Sequence, residues 1–398
     1  MSEAPANPNV DSTSVKTGPL AGVRVVELAG LGPAPFATML MAELGADVIR
    51  IDRPGGSGVL NGFEAVDFLN RGKRSVLLDL KKPGALDAAL AIIDTADVLV
   101  EGYRPGVAEK LGLGPAACMS RNKKLVYGRM TGWGQEGPLS HTAGHDIDYI
   151  AITGVLHAIG TADDPSIPLN LVGDFGGGAT YLIIGILAAL RESDHSGQGQ
   201  VVDAAIVDGA AHLMTAIHTL MASNSWHNER QSNMLDGGAP YYSIYRTLDG
   251  RHMAVGAIEP KFYAELVKRL GLDIPLAQQE QRDTWDDTRA SFEAVFLTKT
   301  QDEWSALFEG TDACVAPVLD THDAVRHPHI VSRQTLVERE GYVQAAPAPR
   351  FSRTPASLPS PPPLPGAHTV DVLGEVSPEI LDSLIGSGGA IQTELAAT

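Results

Sequence analysis

The first 130 residues alternate between short apolar runs, rich in β-branched residues, and longer stretches in which apolar residues recur every three or four positions. The runs predict strands, and the stretches between them predict helices. Because alternating strands and helices form right-handed crossovers, the pattern predicts an α/β fold with a doubly wound parallel sheet. The predicted strands are 24–29, 46–52, 75–80, 97–101 and 125–130, with helices near 36–44, 84–94 and 106–111.

The pattern changes after a long apolar stretch at 179–220. Two strand-like segments then flank Asp249-Gly250, and such a turn pair predicts a β-hairpin. Helical patterns follow the hairpin, so this part of the chain predicts a smaller α+β domain. Its predicted elements are strands at 240–246 and 251–256 and helices at 261–270 and 304–308.

The C-terminal part is rich in proline. Residues 347–365 contain eight prolines, which lack a backbone N–H, so we expect an extended crossing segment there, followed by a last helix at 378–385. The polar residues 1–17 are expected to form a disordered lead-in. The predicted domains are 1–17 (lead-in), 18–225 (large domain), 226–325 (small α+β domain) and 326–398 (a return segment whose C-terminal helix packs on the large domain).

Composition and charge exclude several classes of function. The chain has 30 Lys+Arg against 48 Asp+Glu, a formal charge of −18, which argues against nucleic-acid binding because phosphate recognition needs clustered cations. The two cysteines, Cys118 and Cys314, predict neither a disulfide framework nor a metal cluster. The longest apolar run, 175–190, contains glycines and is shorter than the ~20 residues of a membrane span. We therefore expect a globular protein without membrane contact. Its C-terminus lacks a Ser-Lys-Leu-type address, which predicts a cytoplasmic location.

Cations follow successive predicted strands in this acidic chain. They are Arg53, Lys81, Arg104 and Lys110. Each alone is more often a solvated surface charge. Since open α/β sheets bind ligands at the carboxyl ends of their strands, four cations in such positions favour one polyanionic ligand at that edge.

A dinucleotide-binding fingerprint is the competing interpretation of the first βα turn. Gly30 and Gly32 follow a strand, and Asp52 comes about twenty residues later, as in nicotinamide-binding folds. However, Pro33 and Pro35 would obstruct the close contact between helix and strand that a third glycine normally permits. A tight βα turn without nicotinamide is therefore favoured.

Three further positions are candidates for proton transfer. His145 stands beside Asp146, so it could act as a general base, although a lone histidine is more often structural. Asp174 lies in a glycine-rich turn before an apolar helix, where it is either an N-cap or a functional carboxylate. Glu259 precedes Pro260, and helix capping is its default interpretation, with support of a base as the alternative. The histidines at 322, 327 and 329 lack ordered ligand spacing, so we predict no metal site.

Two sets of short motifs stand out along the chain. The first set is Leu44-Gly-Ala-Asp-Val-Ile-Arg-Ile-Asp-Arg-Pro54, Asn70-Arg-Gly-Lys-Arg-Ser75, Leu78-Asp-Leu-Lys81 and Glu101-Gly-Tyr-Arg-Pro-Gly106. The second set is Thr131-Gly-Trp-Gly134, Gly144-His-Asp146, Gly173-Asp-Phe-Gly-Gly-Gly178 and Asp236-Gly-Gly-Ala-Pro-Tyr241. The first set resembles motifs of the family III CoA-transferases, and the second resembles the α-methylacyl-CoA racemase branch of that family in particular. The likeness covers residues 18 to 355, and its motifs are specific in combination rather than singly.

The resemblance implies a Rossmann-like large domain, a small domain and an interlocked homodimer. It also implies a 2-methyl-branched acyl-CoA substrate whose CoA lies along the large domain. Lys110 falls where the racemases carry arginine, so the charge persists without a bidentate phosphate grip. The residues that the resemblance assigns to substrate binding are Arg53, Leu78, Asp79, Leu80, Lys81, Gly102, Tyr103, Arg104, Lys110, Gly144, Ile147, Asp148 and Tyr149.

The resemblance further assigns two proton carriers, His145 and Asp174, and a supporting acid, Glu259, from the small domain of the partner chain. Inverting a carbon α to a thioester requires two groups that flank it, and a neutral histidine and a carboxylic acid satisfy this need without metal or organic cofactor. The rival is a CoA transferase in which Asp146 would be the acyl-accepting nucleophile. His145 together with Asp174 favours the racemase.

Overall fold

The computed structural model describes residues 17–56 and 62–393, and these form two compact units. Unlike in the predicted domains, residues 144–173, 210–225 and 326–343 group with the small unit. The predicted lead-in lies outside the described residues, except for Thr17. The large unit contains the described residues of 1–143, 174–209 and 344–398, and the small unit contains 144–173 and 210–343.

The described strands are β1 (Arg24–Leu28), β2 (Asp47–Asp52), β3 (Lys73–Leu78), β4 (Val98–Glu101), β5 (Val126–Thr131), β6 (Val201–Ala205), β7 (Tyr242–Arg246), β8 (His252–Gly256), β9 (Val315–Pro317), β10 (Leu336–Arg339), β11 (Tyr342–Ala345) and β12 (Ala390–Ile391). The described α-helices are α1 (Pro33–Glu43), α2 (Ala85–Asp94), α3 (Val107–Lys110), α4 (Pro115–Arg121), α5 (Asp146–Ile152), α6 (Val155–Ala158), α7 (Thr180–Ser196), α8 (Ile206–Leu213), α9 (Thr215–Ala222), α10 (Pro260–Leu270), α11 (Trp285–Phe296), α12 (Gln301–Phe308), α13 (Thr321–Ala324), α14 (Pro328–Arg333), α15 (Thr369–Val376) and α16 (Pro378–Ser387). A π-helical segment, Leu171–Ala179, precedes α7.

The sheet of the large unit confirms the predicted doubly wound α/β fold. Its strand order is β12-β3-β2-β1-β4-β5-β6, in which β1 to β6 are parallel and β12 is antiparallel to β3. The five predicted strands lie within two residues of β1 to β5, whereas β6 and β12 were not predicted. The order reverses between β1 and β4, and this topological switch point is where open α/β sheets bind ligands.

The C-terminal segment completes the core of the large unit. Val372 and Leu373 of α15 and Leu384 of α16 are buried with residues of the sheet and of α2. The short strand β12 pairs with β3, so it satisfies backbone groups that an edge strand would otherwise expose. The predicted last helix corresponds to α16.

The small unit has its own sheet and an aromatic core. Strands β7 and β8 form the predicted antiparallel hairpin, and β9, which was not predicted, adds to its edge. Tyr245 stacks on Phe296 at a centroid distance of 5.0 Å, and Trp304 and Phe308 extend the same cluster. This core is separate from that of the large unit.

The apolar run at 175–190 belongs to a longer helix than the sequence indicated. Leu171–Ser196 has 26 residues, and by length and composition alone it could cross a membrane. The prediction that this apolar segment is shorter than a membrane span was wrong, because the helix continues through the glycines of the run and beyond both of its ends. A core helix of a soluble protein passes the same test, and α7 packs on β5 and β6 with Leu182 and Ile186 buried.

Candidate active site

Three of the predicted cations follow strands of the same parallel sheet. Arg53 comes after β2, Lys81 after β3 and Arg104 after β4, and all three side chains are exposed. Because parallel strands end at the same edge, these side chains start from one edge of the sheet. Lys110, the fourth, is the exposed last residue of α3.

Tyr103 adds a neutral hydroxyl to this edge. Its backbone N–H donates to Oε2 of Glu101 at 2.6 Å, which fixes the loop after β4. Burial raises the pKa of the Tyr103 phenol, although the neighbouring Arg53 cation opposes that shift. The phenol therefore stays protonated at neutral pH and can donate a hydrogen bond.

The segment 78–81 offers only some of its side chains to a ligand. Leu78 is buried in the core of the large unit, and Leu80 packs against that core. The Asp79 N–H donates to the Gly389 carbonyl at 2.9 Å, while an Asp79 carboxylate oxygen accepts from the Lys81 N–H at 3.1 Å. Lys81 is therefore the member of this segment whose side chain is both charged and exposed.

Asp174 lies at the topological switch point. Gly32 is the N-cap of α1 with φ +70° and ψ −120°, and an added Cβ there would lie 3.4 Å from Oδ2 of Asp174. The carboxylate therefore stands beside the first turn of α1, where the helix dipole favours negative charge. The loop after β4 also approaches this turn, since a Cβ on Gly102 would lie 3.5 Å from Cβ of Ala34. The N-cap interpretation of Asp174 is wrong, because the residue lies inside the π-helical segment.

A buried group of charges crosses the middle of the sheet and was not predicted. Nζ of Lys73 lies 2.7 Å from Oε2 of Glu27 and 3.0 Å from Oδ1 of Asn70. Burial alone would raise the pKa of Glu27, but Lys73 and Arg50 outweigh burial and hold it below its ordinary value. The sequence contains a signal for this group, because charged residues interrupt otherwise apolar strands. Glu27 and Arg50 lie side by side because they are register partners in the β1–β2 pair.

Asp52 belongs to the same group, and this weakens the dinucleotide interpretation. Its Oδ2 accepts from Oγ of Ser75 at 2.6 Å, and its Oδ1 pairs with Arg50 at 2.8 Å. Burial raises the pKa of this carboxyl. Asp52 is therefore buried and bonded within the sheet rather than presented to a ribose.

In the small unit, His145 stands at the start of a short helix. It is the N-cap of α5 with an extended backbone, and its N–H donates to Oδ2 of Asp148 at 3.0 Å. The hydroxyl of Tyr149 donates to the Gly144 carbonyl, which ties the preceding loop to the helix. These contacts fix the backbone on both sides of His145 and leave its side chain exposed, as is that of Ile147.

Asp146, beside His145, is enclosed within the small unit. The residue is 8% exposed, and its Oδ2 is shielded from solvent. A Cβ added to Gly173 would lie 2.3 Å from Oδ1 of Asp146 and 3.0 Å from Cγ2 of Ile150. The carboxylate therefore packs directly on the Gly173 backbone.

Glu259 is the N-cap of α10, but its side chain forms no capping hydrogen bond. The capping interpretation is therefore wrong, and the exposed carboxylate remains available for another contact. Burial raises the pKa of the Cys314 thiol, and the negative charge of Glu259 adds to this effect. No group of three His, Cys, Asp or Glu side chains within residues 17–56 and 62–393 could hold a metal.

The candidate residues thus divide between the two units. Arg53, Lys81, Arg104 and Asp174 belong to the large unit, where strand ends and the switch point hold them. The other candidates for catalysis, which are His145, Asp146 and Glu259, belong to the small unit.

These features define an α/β protein with a cationic carboxyl edge, a carboxylate at the switch point and a smaller α+β unit. The model of CoA-transferase family III matches residues 20–369, and the chain belongs to this family.

Two curated relatives cover most of the chain. It is 46% identical to the α-methylacyl-CoA racemase of Mus musculus over 361 residues, which is 89% of this chain and 93% of that protein. It is 45% identical to the α-methylacyl-CoA racemase of Homo sapiens, with the same coverage. A solved structure of a hypothetical protein from Mycobacterium tuberculosis has a TM-score of 0.76 and 28% identity, over 90% of this chain and 100% of that one. The family resemblance found in the sequence is confirmed.

Proposed function

We propose that this chain is an isomerase that interconverts (2R)- and (2S)-2-methylacyl-CoA thioesters. The observation that carries the proposal is its similarity to the two α-methylacyl-CoA racemases over most of both chains. The carboxylate at the switch point and the exposed imidazole of His145 supply the two kinds of group that the reaction needs.

His145 and Asp174 are the proposed proton carriers. One removes the C2 proton as a base, and the other returns a proton to the opposite face as an acid, with the roles exchanged in the reverse direction. The intermediate is the enolate of the thioester. The proposed reaction uses no metal and no organic cofactor, because both proton transfers are made by side chains.

The carboxyl edge of the large unit is the proposed CoA-binding surface. Arg53, Lys81 and Arg104 would neutralise CoA phosphates, and Tyr103 would donate a hydrogen bond. A guanidinium can grip a phosphate with two parallel hydrogen bonds, whereas a lysine acts as a point charge. We therefore expect Arg53→Lys to raise KM by a larger factor than it lowers kcat.

A CoA transferase of the same family is the alternative, and the burial of Asp146 speaks against it. A nucleophilic carboxylate must bring an oxygen to about 3–3.5 Å from the thioester carbon. Oδ1 of Asp146 packs against the Gly173 backbone, and Oδ2 is shielded from solvent. Asp146 would have to leave its packed position to attack.

We propose further that the protein works as a homodimer in which Glu259 supports His145 of the partner chain. Large apolar side chains of the small unit support a partner surface, since Ile152, Leu169 and Leu171 are each more than half exposed. Sedimentation velocity should show a species of about twice the 42.0 kDa chain mass. A monomer at micromolar concentration would contradict the dimer.

The function is tested by incubating the protein with one epimer of a 2-methylacyl-CoA in deuterium oxide. Two-base transfer predicts solvent deuterium at C2 and convergence of both epimers on a near-even mixture. His145→Ala and Asp174→Ala should each lower epimerisation by at least ~10²-fold, because each removes a general acid–base group.

Asp194 and His195 provide matched controls, since both are exposed and lie at the end of α7. Asp194→Ala and His195→Ala should leave the rate within about twofold of the parent. Absence of deuterium at C2 in the parent protein would refute the function, whereas full activity in both site variants would refute only the residue assignment.

A further inference from the structure

The contact between Gly173 and Asp146 affects whether the site can perform acyl transfer in addition to epimerisation. Family III contains transferases as well as racemases, and this chain keeps an aspartate where the transferase nucleophile is expected. What differs is the environment of that side chain. Asp146 is the first residue of α5, and the segment before Asp174 packs against the same helix.

The packing is close enough to depend on glycine. An added Cβ at 173 would lie 2.3 Å from Oδ1 of Asp146 and 2.8 Å from its Cγ, well inside the distance at which real Cβ atoms meet other atoms. Only a residue without a side chain lets the carboxylate occupy this position. Val172 and Ile150 pack in one apolar cluster beside it, which fixes the segment against the helix.

We infer that Gly173 is a specificity-determining positioning residue: it accommodates the Asp146 carboxylate inside the small unit and so excludes the acyl-transfer route. This inference deepens the proposed function and rests on it. In the excluded route a carboxylate oxygen would attack the thioester carbonyl, form a mixed anhydride and release CoA as a thiolate. An oxygen packed against backbone and shielded from solvent has no access to such a carbon.

A double-mutant cycle tests the contact. Gly173→Ala should lower the melting temperature and reduce epimerisation at least tenfold, because the new Cβ displaces the carboxylate or the backbone. Combining Gly173→Ala with Asp146→Ala removes the atoms that clash. The double variant should therefore melt at a higher temperature than Gly173→Ala and epimerise at least fivefold faster. Residues in contact show such coupling, whereas the effects of distant, independent sites add.

Gly185→Ala is the matched control, because its Cβ would meet Val202 at 2.6 Å rather than Asp146. Asp146→Ala should give no rescue of that variant. Simple additivity of the Gly173→Ala and Asp146→Ala effects would overturn the inference. If Gly173→Ala does not fold, recovery of folding in the double variant supports the contact, and continued failure to fold overturns it.

A trapping experiment on the unmodified protein tests the excluded route. With acyl-CoA and hydroxylamine, mass spectrometry should find no hydroxamate at Asp146, and a hydroxamate at that residue would overturn the inference. The deuterium experiment separates the two claims. If the parent protein epimerises but the cycle shows no coupling, the role of Gly173 fails while the function stands. If the parent protein does not epimerise, the function fails, and the coupling in melting temperature still reports on the contact.

Discussion

Gly32 holds a backbone conformation at the switch point that other residues adopt only with strain. Its φ of +70° and ψ of −120° place it outside the regions open to residues with a Cβ, and such strain costs about 1–3 kcal/mol. An added methyl would also touch Oδ2 of Asp174 at 3.4 Å. The residue therefore links the conformation of the first βα turn to the position of a proposed proton carrier.

We expect Gly32→Ala to lower the melting temperature and to reduce kcat more than it changes KM. Gly197→Ala is the control, because Gly197 has φ +77° and open space around its Cβ position. That variant should lose stability and keep its kcat. Circular-dichroism melts and initial-rate kinetics measure both effects. Equal losses of kcat in the two variants would show that Gly32 acts through stability alone.

The buried pair of Glu27 and Lys73 predicts a stability effect that depends on pH. Glu27→Gln leaves the Lys73 ammonium uncompensated in the interior, which should cost about 3–5 kcal/mol of unfolding free energy at neutral pH. Because the folded-state pKa of Glu27 lies below its ordinary 4.5, the stabilisation is complete above that pH. It is lost as the pH falls through the lowered pKa.

Urea unfolding of the parent and Glu27→Gln at stepwise lower pH measures this difference. The gap between them should stay constant from neutral pH to about pH 5.5 and shrink below the ordinary pKa of glutamate. Glu265→Gln is the control, since Glu265 forms a surface pair with Arg269 one helical turn away. That change should cost no more than about 0.5 kcal/mol. A gap that is independent of pH would contradict the assignment.

Among the elements, α15 shows how the C-terminal segment contributes to the fold. Val372 is fully buried in the core of the large unit, whereas Val370 on the same helix is 40% exposed. Val372→Ala should lower the free energy of unfolding by about 2 kcal/mol, because it removes buried methyl groups and leaves a cavity. Val370→Ala should change it by less than about 0.5 kcal/mol. Chemical denaturation of the two variants gives the comparison, and equal effects would show that α15 does not form part of the core.

The elements that the sequence predicted are those with a strong local pattern. Strands β1 to β5 and the β7–β8 hairpin were found because their apolar periodicity and turn residues lie within a few positions. Strand β6 was missed because Asp203 interrupts its short apolar run, and β12 was missed because it has only two residues. Such strands are defined by the neighbours that they pair with, and no local pattern contains that information.

At the scale of the whole molecule, each of the two units has a core of its own. Phe292 is fully buried in the aromatic cluster of the small unit, and the core of the large unit contains other residues. Phe292→Ala should destabilise by about 3–5 kcal/mol. Hydrogen exchange should therefore rise first in peptides of the small unit, such as those of β7, β8 and α10.

Leu248→Ala, at an exposed site of the same unit, should leave the exchange pattern unchanged. Exchange followed by mass spectrometry locates the effect to individual peptides. A uniform increase over both units would mean that they unfold as one body, contrary to the separation of their cores.

The sequence alone determined strands β1 to β5, the β7–β8 hairpin, the helices between the first strands and the edge at which the cations lie. Periodicity is local, and the parallel order of alternating strands and helices places the carboxyl ends of the strands together. Only the tertiary structure showed that Gly173 encloses Asp146, that Gly32 abuts Asp174 and that Lys73 neutralises Glu27. The physical reason is that each of these contacts joins residues far apart in the chain, and its chemistry depends on distances of a few ångströms that arise only when each unit folds.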